Sequence, residues 1–155
     1  MNDFFMIHMY LSKKDIKLVT YKKTLIGFYL AEAPWRVLPV DSFDQIVSYI
    51  KEMFCEIERQ PISDNVKSDF MKQTLGIKNF KQFSKTHLCI IVKYYTKNDE
   101  IVVNNECRLS DGSYGQTIGI TDGFCTVYKC EYDQNEKILE NIKCAIEDGK
   151  RFLER

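Results

Sequence analysis

A chain of 155 residues, 45% apolar and 13% aromatic, carries enough apolar side chain to build a core without disulfide or metal staples. Its 22 basic residues are cancelled by 22 acidic ones, which argues against the basic excess expected of a protein that coats nucleic acid. Apolar runs such as Leu88–Val92 are too short to cross a bilayer as a helix.

The charge is unevenly spread. Residues 1–97 hold 15 basic and 10 acidic side chains, and residues 98–155 hold 7 and 12. An acidic second half favours a basic protein partner. The leading segment MNDFFMIHMYLSKK has no basic start and no small-residue cleavage site, so a cytoplasmic protein is expected.

In chain order, Phe4–Leu11 is an apolar β-rich run closed by the turn Ser12–Asp15. Ile16–Tyr21 alternates, with Ile16, Leu18 and Thr20 on one face and Lys17, Val19 and Tyr21 on the other. Leu25–Ala31 reads as a third strand. Pro34 and Pro39 hold an extended segment around Trp35, the only tryptophan, which reads better as a core anchor than as an exposed contact. Ser42 and Gln45 carry a capping-box signature. Phe43, Ile46, Val47, Ile50, Met53, Phe54 and Ile57 then recur at helical spacing until Pro61.

Residues 64–85 carry a weaker helical pattern through Val66, Phe70, Met71 and Leu75, with Gly76 as a stop and one further turn at 79–84. The period then returns to two. Leu88–Thr96, Glu100–Leu109, Ser113–Ile120 and Phe124–Glu131 are strand candidates separated by polar, glycine-containing turns. Asp133 and Glu136 open a last helix lined by Ile138, Leu139, Ile142, Ala145, Ile146, Phe152 and Leu153. The order βββ-αα-ββββ-α predicts an α+β fold: a mainly antiparallel sheet of six or seven strands covered by two to four helices. No linker or repeat interrupts the pattern, so residues 1–155 are expected to form one domain.

Chemistry is sparse. The six cysteines form no CxxC pair, so buried reduced thiols are expected, and neither His8 nor His87 has a metal-like neighbour at short spacing. No P-loop or dinucleotide fingerprint appears, so no cofactor is expected. Two readings stay open beside a binding role. Cys89 or Cys107 could meet a histidine in space and serve as a nucleophile pair in a small enzyme. Lys78, Lys81 and Lys85, interleaved with Phe80 and Phe83, could bind nucleic acid, although helical spacing favours core packing for the rings.

The block Gly27–Val47, followed by Leu75-Gly76-Ile77-Lys78-Asn79-Phe80-Lys81-Gln82-Phe83, resembles bacterial contact-dependent growth inhibition (CDI) immunity proteins. The resemblance implies a non-enzymatic inhibitor that binds the toxic C-terminal domain of a cognate exoprotein, commonly a nuclease, in the cytoplasm. It also implies that a toxin hairpin can be added beside the sheet, with no cofactor, membrane or direct nucleic-acid partner. For the toxin contact, the acidic balance of residues 98–155 singles out Asp99, Glu100, Glu106, Asp111, Asp122, Glu131 and Asp133.

Overall fold

The computed structural model describes residues 4–65, 69–108, 112–115 and 126–153. Three strands open the chain: β1 (Phe4–Leu11), β2 (Asp15–Thr24) and β3 (Tyr29–Pro39). A 3-10 turn, Val40–Gln45, leads into α1 (Ile46–Arg59). The two-residue β4 (Ile62–Ser63), α2 (Phe70–Gln73) and α3 (Phe80–Thr86) follow. Then come β5 (Leu88–Tyr95), β6 (Glu100–Arg108), β7 (Tyr114–Gly115), β8 (Val127–Glu131) and α4 (Asn135–Leu153).

The strands form an open sheet in the order β3-β2-β1-β5-β6, with β7 and β8 both on the outer side of β6. Every pairing is antiparallel except β2 with β4. The fold is therefore α+β, with sheet and helices in blocks.

Two cores sit on opposite faces of this sheet. The larger joins Ile7, Met9, Ile16, Leu18, Ile90, Val92, Ile101 and Val103 to the apolar sides of α1 and α4. All of Ile46, Val47, Ile50, Met53, Phe54 and Ile57 are buried there, because the 3.6-residue period of α1 turns them to one side. The smaller core gathers Tyr10, Val19, Phe83, Cys89 and Ile91, with Phe70, Ile77 and Phe80 packed against it. The alternation of β2 is thus split as its pattern predicts, Ile16 and Leu18 to one core and Val19 and Tyr21 to the other.

Several local expectations are corrected. Leu25–Ala31 is not a strand throughout: Gly27, at φ 96°, closes a turn with Thr24, and Leu25 and Ile26 project at 79% and 74% exposure. The third strand instead runs on through Pro34 and Trp35. Trp35 is 38% exposed, because β3 is the sheet edge, where the indole meets the Phe70 ring of α2 edge-on. Ser42 makes no cap; the tight 3-10 winding satisfies the helix entry instead, with the Ile46 N–H donating to the Phe43 carbonyl. The 64–85 pattern yields only the short α2 and α3, parted by Gly76 at φ 71°. Val66 and most of the Ser113–Ile120 candidate lie outside the described residues.

A carboxylate-bearing face of the sheet

The register decides which of the predicted carboxylates meet. Tyr95 pairs with Glu100 and Glu100 with Glu131; Lys93 pairs with Val102 and Val102 with Lys129; Cys89 pairs with Glu106. Because side chains two apart on a strand share a face, Glu100, Glu106, Glu131, Lys93 and Lys129 all belong to the face opposite α1 and α4. Among the described residues, the small second core covers that face over β1, β2, β3 and the start of β5. Beyond it, no described helix packs, and a depression of about 390 Å³ opens between Lys93, Tyr95, Glu100, Val127 and Lys129, with Val102 and Asn104 among its lining.

Glu100 and Glu131 stand directly across from one another, a like-charge cross-strand pair that weakens the ladder unless something cationic relieves it. Lys93 is drawn over the Phe4 ring at 4.7 Å, which leaves the two carboxylates without an ion pair among the described residues. Glu106 is held in a poorer setting still. Its Oε2 is buried with no hydrogen-bond partner, and burial pushes its carboxyl pKa up, opposed by Lys93 and a hydrogen bond with Asn104.

The other predicted residues fall elsewhere. Asp99 turns the β5–β6 hairpin in the left-handed region, at φ 52°. Its Oδ1 accepts the Tyr94 hydroxyl at 2.6 Å, and its carbonyl accepts the Tyr132 N–H at 2.9 Å. Tyr94 packs against the larger core, so Asp99 braces the helix-covered side of the sheet. Asp133 is exposed just ahead of α4. Asp111 and Asp122 lie outside the described residues. Sequence reasoning missed Lys93, Lys129 and Asn104, although the period-two pattern of β5, β6 and β8 would have placed them beside the glutamates.

The thiol–imidazole encounter foreseen as an alternative does occur, between Cys89 Sγ and His8 Nδ1 at 3.9 Å. His8 Nδ1 also lies 3.3 Å from the Tyr10 hydroxyl, which is 2.7 Å from that of Tyr21, and the imidazole stacks on the Tyr21 ring at 3.7 Å. Burial lowers the His8 pKa to about 3 and pushes the Cys89 thiol well up, with nearby Glu106 adding to the rise. Both groups are therefore held neutral, the reverse of an activated thiolate–imidazolium pair. The Lys78–Lys85 segment likewise spends its rings on packing: Phe83 is buried and Phe80 packs edge-to-face against Tyr10 and Tyr114, leaving no exposed aromatic platform there. Among the described cysteines, Cys89 is buried, Cys130 and Cys144 are partly so, and Cys55 departs from expectation by being exposed on α1.

Among the described residues there is no group of three or more metal-binding side chains, and no helix is long and apolar enough to cross a membrane.

Among the described residues, the molecule is thus an open antiparallel sheet with one face closed by two helices and the other partly uncovered. Two solved structures share this architecture. One is a protein of unknown function, NMB0488, from Neisseria meningitidis, with a TM-score of 0.64 and 10% identity over 94% of this chain and 95% of that one. The other is a chain of the CdiA-CT/CdiI toxin and immunity complex from Yersinia pseudotuberculosis, with a TM-score of 0.63 and 10% identity over 94% of this chain and 97% of that one. No protein-family model and no curated protein sequence matches. At this identity the likeness is one of fold.

Proposed function

We propose that this chain is an immunity protein that binds and neutralises the toxic C-terminal domain of a CDI exoprotein in the cytoplasm, acting as one domain and without catalysis. The observation that carries the reading is the part of the sheet that no described helix covers. It bears Glu100 and Glu131 across from one another, with Glu106, whose Oε2 has no hydrogen-bond partner among the described residues, farther along the same face of β6, in a fold shared with a chain of a toxin and immunity complex. Buried carboxylates without partners and like charges set side by side weaken an isolated protein; a cationic partner removes both penalties on docking. A basic nuclease is such a partner.

Strand addition suits the same place. The β3 edge is blunted by Pro34 and Pro39, whereas β8 has no proline and, among the described residues, pairs only with β6. A toxin strand laid beside β8 extends the face bearing Val127, Lys129 and Glu131, so main-chain bonds supply adhesion and side chains supply selectivity.

The test uses the C-terminal domain of any exoprotein encoded beside this gene. Glu100→Lys with Glu131→Lys should weaken its binding by at least about tenfold and abolish protection of growing cells, with the unfolding transition unchanged. Adding Glu106→Lys should weaken binding further. Unaltered affinity in the double variant would refute this placement, and the absence of any exoprotein gene nearby would count against the immunity reading itself.

A further inference from the structure

A cavity of about 630 Å³ lies away from the Glu100/Glu131 pair, between the β1–β2 turn and the end of α3. Its size is that of a small-molecule site. Lys13, Lys14 and Lys17 line it from the turn and β2, and Lys85 and His87 line it from the other side. Its one carboxylate, Asp15, is already held by Lys17 Nζ at 2.7 Å and by the Ser12 hydroxyl at 3.3 Å. Lys13, Lys14 and Lys85 line it without an ion pair among the described residues, so three uncompensated lysines surround the cavity.

His87 adds a directed group. Its Nδ1 is 2.8 Å from the Phe83 carbonyl, which can only accept, and 2.9 Å from the Thr86 hydroxyl, whose own proton goes to that carbonyl at 3.2 Å, so Nδ1 carries the proton. The ring stacks flat on Phe83 at 3.8 Å, which fixes its plane and leaves Nε2 as the remaining hydrogen-bonding atom. No arginine is present to grip a planar carboxylate in two-point fashion; several mobile ammonium groups suit the tetrahedral charge of phosphate.

We propose that this cavity binds the phosphate group of a small phosphorylated or diphosphate anion, with Lys13, Lys14 and Lys85 holding the phosphoryl oxygens and His87, protonated, donating to them through Nε2. This site does not depend on the toxin-binding reading. Burial lowers the His87 pKa, opposed by the Phe83 carbonyl, while the Lys17 charge lowers it and Asp15 raises it. A phosphate dianion placed among these groups must raise it, because it favours the imidazolium.

Calorimetric and NMR titration of the intact chain with inorganic pyrophosphate, ADP and a single-stranded oligonucleotide, at constant ionic strength, tests the site. One-to-one pyrophosphate binding is expected, with the His87 pKa rising by about one unit. Lys13→Glu and Lys85→Glu should each weaken binding at least about tenfold, and Lys78→Glu, on the same side but outside the cavity, should not. Equal affinity for ADP and pyrophosphate means that phosphate alone is read; tighter ADP binding means that the nucleoside enters as well, and either supports the site. No pyrophosphate binding at millimolar concentration, an unmoved His87, equal loss in Lys78→Glu, or binding of the oligonucleotide alone overturns it.

Discussion

His8 and Cys89 touch in the second core, and what keeps them inert is measurable. The folded chain holds the His8 pKa at about 3 against an ordinary 6.5, so between those values the unfolded chain takes up a proton that the folded chain refuses. Stability is therefore full above about pH 6.5 and falls as the pH drops, by up to about 1.4 kcal/mol per unit. His87, lowered in the same direction, adds to the slope. Urea unfolding at pH 7, 5.5 and 4.5 should show the fall, and His8→Phe, which keeps the ring stack on Tyr21 but cannot titrate, should flatten most of it. A slope unchanged in His8→Phe would place the acid sensitivity elsewhere. Thiol labelling gives a second check at this scale: Cys55 should alkylate quickly in the folded protein, and Cys89 only on unfolding. Rapid reaction of Cys89 would revive the enzyme reading.

At the scale of the element, α1 and β3 differ in what their apolar residues can contribute. Ile50 is enclosed by the sheet and helices, so Ile50→Ala should cost about 2–5 kcal/mol through lost burial and the cavity left behind. Trp35 is larger, yet it lies on an edge strand against one ring, and Trp35→Ala should cost only on the order of 1 kcal/mol. Chemical denaturation of the two variants side by side decides this; a reversed order would mean that Trp35 is a core residue after all. The comparison also explains which elements were readable. The period of α1 is long and unbroken, so its buried face could be named residue by residue. Pro34 and Trp35 read as an extended segment without a strand assignment because prolines rarely sit within strands; the edge position of β3 and the register shift opposite Val19 and Thr20 make Pro34 tolerable there.

At the scale of the molecule, the chain's charge asymmetry becomes a spatial one. The lysine-lined cavity comes mainly from the β1–β2 turn and α3, whereas Glu100, Glu106 and Glu131 come from strands of the acidic second half. Raising salt from about 0.05 to 0.5 M should slow association with a basic toxin by about tenfold or more while leaving dissociation nearly unchanged, because rim charges steer encounter. Stopped-flow mixing reads both rates, and a salt-independent on-rate would remove electrostatics from the recognition.

Local pattern alone determined the strand-rich opening, the buried faces of α1 and α4, the block arrangement of strands and helices, and the acidic character of the second half, because periodicity and charge are written in consecutive residues. It could not determine that Glu100 faces Glu131, that Asp99 turns away to brace Tyr94, or that Cys89 reaches His8. Those are products of register and strand order. A one-residue slip in pairing sends each side chain to the other face, so only the assembled sheet decides which charges share a surface.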